Sequence, residues 1–176
     1  MARLGKRLAS GDEAAFVELY DLCADRLHHY LVMRLGSPAD AEDVLQETLL
    51  RLVRQRSKLA AVENLAAYAF TVARREALRY LEQRGRRQRR TAGLSPEQLF
   101  ELAGEGPESE SESRHVAEAL LALEDSQREV VELKIYGALT FAEIAQVMEI
   151  PAGTAASWWR LALEKLRRRL EPCSHE

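Results

Sequence analysis

A chain of 176 residues carrying 25 Lys and Arg against 28 Asp and Glu, with a formal net charge of −3, has room for one ordinary domain or two small ones and is not a uniformly basic nucleic-acid binder. Its two cysteines, Cys23 and Cys173, lie near opposite ends with no metal-ligand spacing around them, which argues against a disulfide framework or a zinc site. No apolar run is long enough to span a membrane and Met1–Lys6 is not followed by a signal-peptide core, so a cytoplasmic chain without membrane insertion is expected.

In chain order, Ser10 with Glu13 forms a capping box that opens a first helix. Phe16, Leu19, Tyr20, Leu27, Tyr30, Leu31 and Leu35 mark its buried side, a break is expected near Cys23, and Gly36 ends it. Ser37 caps the next helix, with Pro38 at its first position and Asp40 beside the positive end of the helix dipole. Ala41, Val44, Leu45, Thr48, Leu49 and Leu52 recur at helical spacing as one buried stripe. That turns Asp40, Asp43 and Glu47 onto another face beside Glu42 and Gln46, as an acidic ridge.

A polar connection, Arg56 to Asn64, follows, and Asn64 caps a helix from Leu65 to about Arg84. Tyr68, Val72, Leu78 and Leu81 are its anchors and Gly85 its expected stop. Strand-like alternation is absent, so the first half reads as a three- or four-helix bundle. From Thr91 to Arg114 the chain turns to Gly, Ser, Pro and Glu, an extended acidic linker in which Leu99, Phe100 and Leu102 suggest one helical turn.

Beyond the linker, a helix is expected over His115 to Glu124. Ser126 with Glu129 caps another through Tyr136, with Gly137 past its end. Thr140 with Glu143 opens a short helix, Phe141 to Met148, and a turn at Glu149 to Gly153 leads into a last helix, Thr154 to about Leu170. Two helices joined by a tight turn at the end of a small helical domain describe a helix-turn-helix, with Ala145 at the close crossing and Ile144, Val147, Ile150, Trp159, Ala162 and Leu166 between the helices. The fold expected is all-α, with two small helical domains at 1–90 and 115–172 on a flexible acidic linker at 91–114. Charge is segregated along it: arginines crowd at Arg84, Arg86, Arg87, Arg89 and Arg90 and again at Arg167 to Arg169, while acids crowd between Glu97 and Glu112. Such separation can present basic surfaces to DNA inside an acidic protein.

Three stretches carry a resemblance to one family. The run Asp-Ala-Glu-Asp-x-x-Gln-Glu, Asp40 to Glu47, resembles the core-polymerase-binding helix of bacterial sigma factors, most closely the extracytoplasmic function (ECF) group. Ala67 to Arg75 resembles that family's promoter-melting helix. Leu139 to Thr154, with the preceding Leu123 to Leu133, looks like its C-terminal helix-turn-helix. The three occur in the family's order and at its separations.

The resemblance implies a sigma factor whose partners are core RNA polymerase, promoter DNA and an anti-sigma factor. Asp40, Glu42, Asp43, Gln46 and Glu47 would meet the β′ clamp helices, and the C-terminal domain the β flap. Arg74, Arg75, Arg79, Tyr80, Arg84, Arg86 and Arg87 would serve the minus-ten element, where a flipped base would enter a pocket near the Lys58 to Asn64 loop. For the Arg84 to Arg90 run a promoter role stands evenly beside the plainer reading of a solvated helix end or a nonspecific anchor. Thr140, Thr154, Ser157, Trp158, Arg160 and Lys165 would face the minus-thirty-five element.

The chain departs from the family's pattern in places. Tyr68 stands where tryptophan is usual, Arg75 where asparagine is, and Arg79 where an acid is; Ala156, Trp158 and Leu161 stand where basic residues are. Helical projection puts Trp159, Ala162, Leu163, Leu166 and Leu170 on the buried side and Trp158, Leu161 and Lys165 outward. Three uses of Trp158 stay open: contact with thymine methyls, cover by a protein partner, or packing against the N-terminal domain in a closed form.

Catalytic machinery is not expected. There is no nucleophile elbow, phosphate-cradling glycine loop or zincin-like His pair, and adjacent His28 and His29 point about a hundred degrees apart on a helix, unsuited to one metal. Asp40 and Asp43 lack the apolar cleft that would split their pKa values. No cofactor is expected. The competing functional readings are a sigma-like adaptor that holds polymerase or an anti-sigma partner without reading DNA, and an ordinary helix-turn-helix regulator.

Overall fold

The structure is a computed structural model that describes residues 2–87 and 110–170, with side chains at 3–84 and 115–170. Among the described residues it is built from helices: α1 (Ala2–Ala9), α2 (Glu13–Leu35), α3 (Pro38–Arg54), α4 (Arg56–Leu59), α5 (Leu65–Arg87), α6 (Glu110–Leu121), α7 (Asp125–Ile135), α8 (Phe141–Met148) and α9 (Ala152–Leu170). The turn suggested around Leu99 to Leu102 lies outside the described residues.

Local chemistry sets most boundaries. Ser37 Oγ accepts the Asp40 N–H, and Pro38 occupies the first position of α3. Gly36 ends α2 in the left-handed region at φ 73°, its N–H bonded to the Val32 carbonyl. Asn64 Oδ1 accepts the Ala67 N–H at 3.0 Å to start α5. On α8, Thr140 Oγ1 accepts the Glu143 N–H while the Glu143 carboxylate accepts the Thr140 N–H, so the expected capping box is complete.

Several expectations are corrected. The α2 cap is Asp12, whose carboxylate accepts the N–H groups of Ala14 and Ala15; Ser10 instead donates its hydroxyl to the Arg7 carbonyl. The reason is α1, which already takes residues up to Ala9 and buries Leu4 and Leu8. Helix α2 runs unbroken through Cys23, a buried thiol that donates to the Leu19 carbonyl and is pushed up to about 11 by burial. Tyr20, expected on the buried side, is 51% exposed. Helix α5 passes through Gly85, α6 starts at Glu110 and ends at Leu121, and α9 starts at Ala152. Ser126 does not cap α7; Glu124 holds that position with no side-chain bond, because Glu129 is engaged elsewhere.

The expected polar connection contains α4, which buries Leu59 completely against α1. The close approach needs Gly5, where an added Cβ would stand 2.4 Å from the Leu59 carbonyl oxygen. Gly5→Ala should therefore destabilise the chain by about 1–3 kcal/mol, read as a lowered midpoint in chemical denaturation; an unchanged midpoint would show that α1 is not seated this way.

Helices α2, α3 and α5 pack on one another as the front bundle, and α9 packs on α6, α7 and α8 as the rear one. The halves are joined by α5 against α8 and α2 against α7. One continuous core runs across that seam, from Leu27, Tyr30, Phe70 and Ala73 to Val130, Leu133, Leu139 and Ile144. A smaller cluster of Leu123, Val131 and Ala162, with Leu120, Trp159 and Leu166 against it, completes the rear half. The molecule is thus folded onto itself, the closed arrangement.

Candidate functional site

Helix α3 buries Ala41, Val44, Thr48 and Leu52, with Thr48 donating its hydroxyl to the Val44 carbonyl at 2.7 Å, and so fixes the opposite face outward. Glu42, Asp43 and Gln46 are exposed there. The ridge's two ends are engaged: Asp40 pairs with Arg84 at 2.7 Å, and Glu47 lies 3.8 Å from Arg51 and 3.4 Å from Arg54. Tyr80 donates to Asp40, which raises the phenol's pKa. Among the described residues no cation pairs with Glu42 or Asp43.

A groove of about 280 Å³ separates this ridge from α5, lined by Asp43, Glu47, Arg51, Glu76, Arg79 and Tyr80 among others. At its wall the buried Glu76 carboxylate is held by Arg51 Nε and Arg79 Nη1, both at 2.8 Å. Arg79 is therefore the partner of Glu76, which accounts for a base at that position.

Of the arginines singled out on α5, the four whose side chains are described, Arg74, Arg75, Arg79 and Arg84, are in ion pairs. Arg74 binds Glu129 with two prongs, Nε to Oε1 at 2.9 Å and Nη2 to Oε2 at 3.3 Å, and Arg75 binds Glu149 at 2.7 Å. Both acids belong to the rear half. Arg86 and Arg87, with the rest of that arginine run, lie outside the residues whose side chains are described.

The same pattern extends along the seam. Arg34, its side chain 6% exposed, meets Asp125 with two bonds of 2.7 and 2.6 Å and lies 3.7 Å from Glu129 and 4.0 Å from Glu132. Tyr30 donates its hydroxyl to Glu129 at 3.0 Å, Arg26 donates to the Gly137 carbonyl, and Asn64 donates its amide to Glu143. Across the seam the front half supplies the arginines and the rear half the carboxylates. Arg75 holds Glu149 below the usual carboxylate range, and Arg34 does the same to Asp125. Glu132, 2% exposed with no hydrogen bond to either carboxylate oxygen, is pushed up to about 7, chiefly by burial.

Next to this seam is a hollow of about 510 Å³ at the Val62–Asn64 loop. Its front wall is Asn64, Ala67, Tyr68 and Thr71, and its rear wall is Glu143 and Gln146 of α8. Tyr68 is held there by its hydroxyl, which donates to Gln55 at 3.1 Å. The hollow lies beside the Lys58 to Asn64 loop and is closed on one side by α8 of the helix-turn-helix.

That motif is formed as its spacing predicts. Helices α8 and α9 pack on one another and Ala145 is buried, while Phe141 packs on Trp159 with centroids 6.3 Å apart. Of the residues expected to face DNA, Arg160 is exposed, Thr154 and Ser157 are half-buried, and Lys165 pairs with Glu124 at 3.0 Å. The Thr140 hydroxyl is spent on its cap. Trp158, projected outward, is half-buried against the main core, because it stands one turn after the wholly buried Ala155. Leu161 is outward as expected, at 42% exposure.

Sequence reasoning missed the seam acids. Glu129 and Glu132 alternate with Val130, Val131 and Leu133, all buried, and charges set inside an apolar run were the available signal.

Among the described residues no cluster of three metal-ligating side chains occurs and no helix is long and apolar enough to cross a membrane. Residues 19–87 match the Sigma-70 region 2 family and residues 113–166 match Sigma-70, region 4. The ECF RNA polymerase sigma factor SigK of Mycobacterium tuberculosis (strain ATCC 25618 / H37Rv) is 31% identical over 170 residues, covering 94% of this chain and 91% of its own. The ECF RNA polymerase sigma factor RpoE of Cereibacter sphaeroides is 32% identical over 171 residues, covering 90% and 88%. Among solved structures, the sigma factor RpoE from Bartonella quintana, in complex with the anti-sigma factor NepR, superposes with a TM-score of 0.70 at 21% identity, over 90% of this chain and 98% of that one. CnrH in complex with the cytosolic domain of CnrY gives 0.70 at 19%, over 98% of each. Both share the all-helical fold.

Proposed function

This chain belongs to the ECF group of the sigma-70 family of RNA polymerase sigma factors, and from that premise we propose how its own residues divide the work of directing the polymerase to a promoter. The central ridge of α3, Glu42, Asp43 and Gln46 with Asp40 and Glu47 at its ends, binds core RNA polymerase at the β′ clamp helices. Its backing by the buried face of Ala41, Val44, Thr48 and Leu52 supports this, since a rigid shelf of charge docks without ordering cost.

The α5 arginines, Arg74 and Arg75, with Arg84 and Tyr80 beside them, serve the minus-ten element. Arg79, tied to Glu76, positions its neighbours rather than touching DNA. A base flipped from the melting duplex enters the hollow between Asn64, Tyr68 and Thr71. At the upstream element Arg160 carries phosphate contact and Leu161 offers an apolar surface to thymine methyls, with Thr154 and Ser157 near the base edges. Thr140, Trp158 and Lys165 position the motif. The β flap and an anti-sigma factor are the remaining partners, and the factor acts in the cytoplasm without catalysis of its own.

The observation that carries this assignment is the unneutralised centre of a core-anchored acidic ridge, upstream of a complete helix-turn-helix on the same chain. Purified chain added to core polymerase should yield discrete run-off transcripts from genomic fragments. Binding without transcripts would point to an adaptor, and failure to bind core would remove the assignment.

A further inference from the structure

Not every cation of the front half is spent on a carboxylate. Arg3 and Lys6 stand one turn apart on the exposed side of α1, and Arg56 and Lys58 are exposed on α4. Among the described residues none of these side chains pairs with an acid. Arg7 is taken by Asp12 and Glu18, and Arg54, at the end of α3, by Glu47. Glu13 and Glu63 are the remaining acids nearby in sequence. Packing of α1 on α4 holds the cations in one region: an added Cβ at Gly5 would stand 3.6 Å from Ala60 Cα, and one at Gly11 would stand 3.9 Å from Arg56 Nε.

In a chain of net charge −3, so local an excess of positive charge suits an anion. Its place in the fold indicates which one. Helix α4 lies between two supports of the base hollow: Gln55 before it accepts the Tyr68 hydroxyl at 3.1 Å, and Val62 and Asn64 after it line the hollow itself.

We propose that Arg3, Lys6, Arg56 and Lys58 form a phosphate-binding surface for the DNA strand that runs on from the base held in the hollow. The inference rests on the reading of that hollow given above and adds the α1–α4 face to it. A flipped base leaves its sugar and phosphates at the mouth of the pocket, where the strand needs positive charge. Flexible cations spread over two helices fit a row of phosphates. They hold the backbone without reading its sequence, so the contact is salt-sensitive.

The full chain is titrated without polymerase against a fluorescent mixed-sequence single-stranded oligonucleotide at several salt concentrations. Arg56→Gln with Lys58→Gln should bind roughly tenfold more weakly at low salt, and its slope of log affinity against log salt should shrink by about 1 to 1.5, the share of two phosphate contacts on a single strand. Arg3→Gln with Lys6→Gln should do the same. Val116→Glu with Ile135→Glu lowers the net charge equally at exposed positions of the rear half and should keep the parent's slope. No binding by the parent, an unchanged slope in either cation variant, or an equal loss in the control would overturn the proposal. To place the surface on a promoter, a photocrosslinking residue replaces Ser57, exposed between Arg56 and Lys58, in the polymerase complex on a fragment that gives a transcript. It should attach to the DNA strand beside the melted minus-ten bases, and attachment to polymerase alone would overturn the proposal. Failure of the parent to transcribe would remove the reading of the hollow, while the salt titration would still decide whether this face holds phosphate.

Discussion

Arg34→Ala should lower the stability of the full chain by about 3–5 kcal/mol, and its melting temperature by about 10 °C. This one side chain faces three carboxylates, two of them on a buried part of α7. Without it, Glu129 keeps Arg74, while Glu132 keeps only Arg128, at 3.6 Å and without a hydrogen bond. A charge left inside without its counterpart is far more costly than the pair was beneficial. Removing the other end of the strongest contact should do much less. Asp125 is 64% exposed in its side chain, so Asp125→Ala should cost under about 1 kcal/mol. Chemical denaturation of the two variants side by side checks this, and equal losses would contradict it.

The closed form should also weaken as the medium becomes alkaline. Glu132 titrates near 7 where the ordinary value is 4.5; burial raises it most, Glu129 and Asp125 add to the rise, and Arg34 and Arg128 oppose it. No other element sets a charge against it more closely than Arg34 of α2. Between these two values the closed chain holds a proton that an opened chain has lost, so closure is favoured at the acid end of the window and loses that advantage as pH rises through about 7. Asp125, held low by Arg34, responds in the opposite sense but only below its usual 3.8, outside this window. From about pH 6 to about pH 8 the ratio of closed to open chain should fall roughly tenfold. Glu132→Gln should flatten the profile. Distances between spin labels placed on α3 and α9, measured across this range, check both statements, and a flat profile in the parent, or an unchanged slope in the variant, would contradict them.

What the sequence revealed and what it withheld differ by how far apart the interacting residues lie. Ser37 with Pro38, Asn64, Gly36 and the Thr140–Glu143 box are settled within four residues, by bonds a reader of the sequence can count, and the structure places each as expected. The acidic ridge was legible for the same reason, since helical spacing alone separates Ala41, Val44 and Thr48 from Asp43. Ser126 and Glu129 form an equally good local box, yet Glu129 answers to Arg74, 55 residues away, and Tyr30, 99 away. Tertiary contact overrode local chemistry there. Trp158 was misplaced because projection from one seam, through Trp159 and Ala162, ignored the second seam that Ala155 makes. Helix α1 went unread because its short apolar pattern, Leu4 and Leu8, becomes meaningful only against α4 and the Gly5 contact.

The claim on which everything else depends is that the charge at the centre of α3 holds the polymerase, and binding of the full chain to core RNA polymerase measures it most directly. Asp43→Arg reverses that charge at an exposed position, away from the core, and should weaken association at least about a hundredfold while leaving the denaturation midpoint unchanged. Parent-like affinity in Asp43→Arg, with the fold intact, would contradict the account.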